Sequence, residues 1–355
     1  MFHPAPTVDQ WPELRMPFPL RQNPHVEITR ARTREWAIAM GMLPTDQARH
    51  WWDHVNLTAL EAWCFPDVRP ERLLLVDKWL SMGIMLDDQF DSTPLGRHLD
   101  ATCRVMNDLI TATAHPSGAP HPPRHPFSRA VTDLLAAFTQ VMSPVWMQRH
   151  RYHLTLWWGG VIQAVAHRAH GHKPLTFRQR LAVRRLTVGM HAYGDLFELA
   201  CDWEMPPACN ALHEVQRIRR IVSDLTVYLN DLYSVERERA EGNDDNVLLA
   251  WESGGLTPKQ ARNRGAQQIE QLVREFITLR ATLPELATAA GLDTADQEGL
   301  ERWAATCTLY LSGANHSQAI IPRYTDTTSH LAHDHRLDCA LEASSTDRPP
   351  SRWDS

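Results

Sequence analysis

The sequence has few cysteines, and their spacing indicates neither a metal site nor a disulfide framework. Its 355 residues include six cysteines, which are scattered without C-x-x-C spacing. This usage fits reduced thiols in a cytoplasm. Residues 1–15 lack a signal-peptide core, and no apolar run of about 18 residues is free of charge. The sequence therefore predicts a cytoplasmic protein without a membrane span.

An excess of positive charge is also lacking. The 36 Lys and Arg residues are outnumbered by 42 Asp and Glu residues, which gives a formal net charge of −6. A nucleic-acid binder would usually present a basic face, so we do not expect a nucleic-acid partner. The chain has no glycine-rich phosphate loop and no internal repeat. What it has is a hydrophobic content of 43%, which is sufficient for a sizeable core.

Alternating strand patterns are scarce, and helical periodicity dominates instead. We therefore predict an all-α fold, a helical bundle. Pro144 and the pair Gly159 and Gly160 are expected to bend or break the fourth predicted helix, and Gly189 and Gly194 the fifth. The predicted helices cover residues 26–41, 71–87, 99–113, 129–169, 177–200, 213–240, 258–281 and 294–312.

Two polar segments interrupt this pattern. Residues 115–126 are rich in Pro and His, which predicts a surface loop. Residues 326–355 are polar and contain a late R-P-P-S run, which predicts a disordered tail. Residues 1–325 then form a single domain.

An acidic segment, DDQFD at residues 87–91, follows the largely apolar run at 73–86. Residues four apart on an α-helix share a face, so Asp87 and Asp91 point the same way while Asp88 is turned aside. A solvated helix end would also explain this segment if it stood alone.

A second acidic segment is NDLYSVERE at residues 230–238. Asn230, Ser234 and Glu238 stand at i, i+4 and i+8, a stripe roughly 12 Å long on one helix face. Their amide, hydroxyl and carboxylate oxygens are hard ligands of the kind that Mg²⁺ prefers, usually together with substrate phosphate oxygens. A charged, solvent-facing helix is the alternative. The two segments together favour a Mg²⁺ site for a phosphorylated substrate.

These two segments resemble the signature pair of bacterial class I terpene synthases. The first matches the aspartate-rich pattern DDxx(D/E), and the second matches ND-x-x-S-x-x-(K/R)-E at every specified position, including Arg237. Arg184 resembles the arginine that senses diphosphate in this family, because it precedes Asn230 by 46 positions (230 − 184). Arg323 and Tyr324 resemble the family's C-terminal arginine–tyrosine pair. The resemblance covers roughly residues 10–325, and four elements in the right order make it specific.

The resemblance implies a class I terpenoid synthase-like helical bundle that encloses an apolar cavity. It implies a terpene cyclase that ionises a linear isoprenoid diphosphate and cyclises the carbocation. Three Mg²⁺ ions would be held by Asp87, Asp91, Asn230, Ser234 and Glu238. Arg184, Arg237, Arg323 and Tyr324 would stabilise the departing diphosphate. Residues 243–246, NDDN, would be a mobile loop that orders over the diphosphate, and a homodimer is possible.

The resemblance leaves the chain length of the isoprenoid substrate open. Relatives with compact pockets often carry bulky aromatics one turn before the first metal-binding aspartate, whereas this chain has Gly83 and Ile84 there. A deeper pocket could admit the C20 chain of geranylgeranyl diphosphate, although farnesyl diphosphate is the first choice. Relatives also often place an aspartate three residues after the sensing arginine, where this chain has Thr187. The expected pocket residues are Gly83, Ile84, Phe90, Val188, Trp303 and Tyr310.

Three other functions are open from the sequence. A trans-prenyltransferase would carry a second aspartate-rich motif in place of the Asn230 stripe. A non-catalytic helical scaffold would explain the helices but not the two oxygen-ligand stripes. A histidine and aspartate metal hydrolase would need histidine pairs on helix faces near acidic clusters, and the nineteen histidines form no convincing set of that kind.

Overall fold

A computed structural model describes residues 14–91, 93–115, 125–171 and 174–326, and within these ranges the chain forms helices and no strand. The prediction of an all-α fold is confirmed. A short 3₁₀ helix covers Pro94–Arg97. The α-helices are α1 (Val26–Met40), α2 (Asp46–Val55), α3 (Leu57–Cys64), α4 (Pro70–Asp91), α5 (Leu99–Ala114), α6 (Pro126–Thr139), α7 (Pro144–Ala169), α8 (Phe177–Thr187), α9 (Met190–Tyr193), α10 (Leu196–Ala200), α11 (Pro207–Asn210), α12 (His213–Glu241), α13 (Val247–Ser253), α14 (Pro258–Ala289), α15 (Thr294–Ile320) and α16 (Pro322–Thr325).

Local sequence explains where the predicted helices divide. The fourth predicted helix is two helices, because Ser143 caps α7 by accepting a hydrogen bond from the Trp146 amide and Pro144 stands at the first helical position. Gly159 and Gly160 do not break α7, contrary to the expectation. The fifth predicted helix is three short helices.

Gly189 lies at the break between α8 and α9. Its φ of +71° lies in the left-handed region, which residues with a side chain rarely adopt. The chain therefore turns between α8 and α9, and Arg184 before the turn and Met190 after it both face the same cavity.

Helices α2, α3, α11, α13 and α16 were not predicted, because each is too short to show helical periodicity over a long window. The structure also extends α15 to Ile320 rather than residue 312. Most of the predicted 115–126 loop and all of the predicted tail after Asp326 lie outside the described residues. No helix in the described ranges is long and apolar enough to cross a membrane.

The helices pack around α12, which contacts α8, α13, α14, α15 and α16. Opposite it, α4 packs on α1, α3 and α6. Helices α3 and α15 approach each other closely, because a Cβ on Gly313 would lie 2.1 Å from the Trp63 carbonyl oxygen. The carboxyl-terminal part of α4 and the second half of α12 thereby bring both acidic segments to one end of the bundle.

Gly313→Ala is expected to destabilise the protein by about 2 kcal/mol or more, because the added methyl group must push α15 away from the α3 backbone. Gly265→Ala is the matched control, since its Cβ would find its nearest neighbour at 3.7 Å. Alanine favours a helix interior over glycine by up to about 1 kcal/mol, so the control is expected to be neutral or stabilising. Thermal unfolding followed by circular dichroism compares the two. Equal melting temperatures in both variants would contradict the close approach.

Candidate active site

Asp87 and Asp91 stand on one face of α4, as the i, i+4 spacing predicts, and both side chains are half-buried. Burial raises the pKa of Asp87, and the negative charge of Asp91 raises it further. Burial also raises the pKa of Asp91, with Arg168 opposing and Glu238 adding to the shift. The two acidic segments are therefore close enough to repel each other, and a bound cation would relieve that repulsion.

The α12 stripe presents its three residues in one row. Ser234 and Glu238 are buried, and Asn230 is half-buried. The Asn230 amide is held at both ends: its Oδ1 accepts a hydrogen bond from Arg184 Nη2 at 2.9 Å, and its Nδ2 donates to the Tyr324 hydroxyl at 3.2 Å. Glu238 Oε2 accepts from Asn246 Nδ2 at 2.8 Å. The stripe is fixed in place by its own contacts.

The donor set fits Mg²⁺ rather than a softer metal. In the part of the chain that the structure describes, no three His, Cys, Asp or Glu side chains converge as a ready metal-binding group. Mg²⁺ is commonly bound through one or two carboxylates plus substrate phosphate oxygens, so an incomplete protein shell is what such a site needs. Asp87 and Asp91 on one wall, with Asn230, Ser234 and Glu238 on the other, would hold it.

Three of the four predicted diphosphate-binding side chains lie at the mouth of one cavity. Arg184, Arg323 and Tyr324 all line it, together with Asp87 and Asn230. Arg237 does not line this cavity; its guanidinium lies 3.9 Å from Glu238 Oε1, and its Nε has no hydrogen-bond partner among the described residues.

Each of the two buried arginines is held by a carboxylate of its own. Arg184 Nε and Nη2 donate to Asp231 Oδ1 at 2.9 and 2.5 Å. Arg323 donates from Nη1 and Nη2 to the two oxygens of Asp88, both at 2.8 Å. These neighbouring carboxylates raise the pKa of both guanidinium groups against the effect of burial. The arginines are therefore fixed and charged before any substrate arrives.

Sequence reasoning assigned no role to Asp88 or Asp231, although each is the second residue of an acidic motif. It also missed Arg168 on α7, which lies 3.7 Å from Asp91 and donates to Phe90 O at 3.0 Å. The signal for Asp88 and Asp231 was present, because a carboxylate turned away from the metal face needs a cation on a neighbouring helix. Arg168 stands in no recognisable motif.

The loop at 243–246 was expected to be mobile, but the structure shows it anchored. Asp245 is buried and pairs with both Arg168 and Arg180. Asn246 caps α13 and also donates to the Asp231 carbonyl at 2.8 Å. These contacts join the loop to the acidic end of the bundle in the free protein.

Below the metal face, an aromatic cavity of about 100 Å³ extends into the bundle. Trp79 and Trp157 stack with ring centroids 5.3 Å apart, and the ring centroids of Tyr193 and Tyr310 lie 5.8 Å apart with the rings tilted by 58°. All four of these rings line the cavity. Such walls exclude water and present π faces to a cation.

Four of the six expected pocket residues line this cavity, namely Gly83, Ile84, Val188 and Tyr310. Phe90 lines a small adjoining space beside Asp87 and Asp91. Trp303 does not line it; its ring lies against Arg219 at a second cavity. Trp303 is buried as a pocket residue would be, but its place in the sequence did not show which cavity it lines.

Gly83 lines the cavity without deepening it, which corrects the expectation from sequence. A Cβ at this position would lie 3.1 Å from Trp157 Cη2 and 3.5 Å from Trp79 Cζ3. The space that the missing side chain leaves is occupied by the Trp157 indole. Trp157 of α7, stacked on Trp79 of α4, thus supplies an aromatic wall beside Gly83.

Comparison with known proteins identifies the class. A family model described as "Terpene synthase family 2, C-terminal metal binding" matches residues 78–275, which is more than half of the chain and includes both acidic motifs. The chain belongs to this terpene synthase family. It is a class I terpene cyclase, a lyase that acts on an isoprenoid diphosphate.

Individual relatives agree with this membership. R-linalool synthase of Streptomyces clavuligerus is 28% identical over 93% of this chain and 96% of its own length. The 7-epi-alpha-eudesmol synthase of Streptomyces viridochromogenes, described as (2E,6E)-farnesyl diphosphate cyclizing, is 25% identical over 80% of this chain and 83% of its own. The crystal structure of linalool/nerolidol synthase from Streptomyces clavuligerus superposes with a TM-score of 0.77 at 25% identity, over 86% of this chain and 100% of that one.

Asp88→Asn is expected to lower kcat/KM by about 10- to 100-fold, because Arg323 loses its bidentate partner and its fixed orientation toward the cavity. Asp224→Asn is the matched control: it breaks the Arg185–Asp224 pair, also bidentate at 2.7 and 2.8 Å, which lies outside the cavity lining. Steady-state kinetics and far-ultraviolet circular dichroism are measured on both variants. Equal losses of activity would show that Asp88 acts through stability alone.

Proposed function

We propose that this enzyme ionises farnesyl diphosphate with three Mg²⁺ ions at the acidic end of the bundle and cyclises the resulting cation in the aromatic cavity. The observation that supports this most is the convergence of Asp87, Asn230, Arg184 and Arg323 at the mouth of one apolar cavity. Oxygen ligands and cationic donors stand there at the entrance of a cavity lined by aromatic side chains. A scaffold protein would have no use for that arrangement.

The diphosphate would be received by side chains that are already oriented. Arg184 and Arg323 are charged and held by Asp231 and Asp88, so their remaining N–H groups can donate to phosphate oxygens without rearrangement. Tyr324 adds a hydroxyl at the same mouth. Bound Mg²⁺ would neutralise the charge that develops on the leaving group.

The carbocation would remain in a dry cavity. Trp79 and Trp157 present stacked indoles to it, and Tyr193 and Tyr310 close the lower wall. An aromatic face stabilises a nearby cation by about 0.5–2 kcal/mol, more when water is absent. The cyclisation path then follows from cavity shape, and the released diphosphate can accept the final proton.

The position of the Trp157 indole beside Gly83 favours farnesyl diphosphate, the C15 substrate, over geranylgeranyl diphosphate, the C20 substrate. This indole fills the space beside Gly83, so the feature of the sequence that suggested a deeper pocket has no cavity behind it. The relative from Streptomyces viridochromogenes, whose description names farnesyl diphosphate, supports the same choice. Geranylgeranyl diphosphate is the alternative.

Incubation with C10, C15 and C20 diphosphates and Mg²⁺, followed by gas chromatography–mass spectrometry, tests the function directly. Glu238→Gln is expected to lower turnover about 100-fold or more while leaving the helical circular dichroism unchanged, because it removes the negative charge of the α12 stripe. Glu236→Gln is the matched control on the same helix, since Glu236 pairs with Arg262 and Arg239 away from the site. Full turnover by Glu238→Gln, or by the wild type with excess chelator, would contradict the proposal.

Trp157→Ala is expected to shift the ratio of kcat/KM from the C15 toward the C20 substrate by about tenfold, because it removes the wall beside Gly83. Trp158→Phe is the control: Trp158 is buried in the adjacent core, where its Nε1 donates to Thr113 Oγ1 at 3.2 Å. That variant should keep the wild-type ratio. An unchanged ratio in Trp157→Ala would show that this indole does not set substrate length.

A further inference from the structure

A second cavity, here called the polar cavity, lies behind the aromatic one. It has a volume of about 160 Å³ and lies between α7, α9, α12 and α15. Its lining includes imidazole, amide, guanidinium and hydroxyl groups. Those that bear on the argument are His153, His191, Asn210, Gln216, Arg219 and Ser223.

The polar cavity is suited to hold water. A water molecule occupies about 30 Å³ in the liquid and needs two to four polar partners, so several waters fit. Arg219 Nε is buried and has no hydrogen-bond partner among the described residues, which leaves a donor directed at no protein atom. Burial lowers the pKa of His191, so its neutral imidazole can donate and accept. Gln216 and Arg220 are exposed at the rim and connect the cavity to solvent.

Met190 lines both cavities and is buried between them. Its Sδ lies 3.6 Å from the Tyr310 hydroxyl, which in turn lies 3.0 Å from Thr226 Oγ1. Thr226 and Tyr310 belong to the aromatic cavity. Ser223, one turn before Thr226 on α12, belongs to the polar cavity. The Gly189 turn places the flexible Met190 thioether in the wall between the polar cavity and the aromatic cavity.

We propose that Met190 is a specificity-determining residue that controls whether water from the polar cavity captures the carbocation. The inference rests on the proposed function. In the capture step, a water oxygen donates a lone pair to the cationic carbon and forms the C–O bond. The resulting oxonium loses a proton to the released diphosphate and leaves an alcohol. In the competing step, the cation loses a proton from a neighbouring carbon to the same diphosphate and leaves an alkene.

The test compares Met190→Ala with Met190→Leu in ¹⁸O-labelled water, with the ratio of alcohol to hydrocarbon products measured by gas chromatography–mass spectrometry. Truncation to Ala opens the wall, so the alcohol share and its label are expected to rise about fivefold. Leu keeps the volume of the side chain and should keep the wild-type ratio. A labelled alcohol share in Met190→Ala equal to that of the wild type overturns the proposal.

A second variant separates water supply from a change of cavity shape. Ser223→Leu adds an apolar side chain to the polar cavity without touching the aromatic one, and in the Met190→Ala background it should return the alcohol share toward the wild-type value. An alcohol share that stays high in the double variant contradicts the route through the polar cavity. Thermal unfolding confirms that each variant is folded.

Diphosphate release, measured in the same reactions, distinguishes failure of this inference from failure of the proposed function. Wild-type release with an unaltered product ratio in Met190→Ala rejects only the role of Met190. If the wild type releases no diphosphate from any of the three substrates, the proposed function fails. Crystals of Met190→Ala test the water route separately: ordered water continuous from His191 to Thr226 supports it, and a dry wall between the two cavities rejects it.

Discussion

The hydrogen bonds that Asp231 receives in the interior of the bundle hold the acidic end of the protein together. Its Oδ1 accepts from Arg184 on α8, and its Oδ2 accepts from the Val247 amide at 2.7 Å, the first residue of α13. Burial raises the pKa of this carboxyl group, and the charge and hydrogen bonds of Arg184 oppose that rise. Removing one partner of such a buried pair costs about 3–5 kcal/mol. Asp231 therefore fixes the positions of α8, α12 and α13 relative to one another at the mouth of the cavity.

The same arrangement recurs around the site. Asp88 holds Arg323, and Asp245 holds Arg168 and Arg180. In both acidic motifs the first residue faces the cavity mouth and the second turns to an arginine on another helix. Under the proposed function, the first residue of each motif would supply an oxygen ligand for Mg²⁺, and the second orients an arginine that would bind the diphosphate. Arg184 and Arg323 are paired and oriented before substrate binds, which keeps their reorganisation small when the diphosphate leaves.

Residue spacing was sufficient to predict the all-helical fold and the faces that carry Asp87, Asp91, Asn230, Ser234 and Glu238. Helical periodicity fixes direction around one helix, and those predictions needed nothing more. The residues that pack against a helix face depend on contacts between helices, and the sequence either did not predict these contacts or predicted them wrongly. Gly83 was expected to deepen the cavity, yet Trp157 from a distant helix fills the space. Trp303 was expected in the aromatic cavity but lines the polar cavity. The loop around Asp245 is anchored by Arg168 and Arg180, which are distant in sequence.

The central claim is that the two acidic faces bind Mg²⁺ and diphosphate together and neither alone. Isothermal titration of the wild-type protein with inorganic diphosphate, with and without Mg²⁺, measures this without any organic substrate. We expect saturable binding of diphosphate only when Mg²⁺ is present, because the protein supplies an incomplete metal shell that phosphate oxygens must complete. Diphosphate that binds with equal affinity in the presence of a chelator would contradict it.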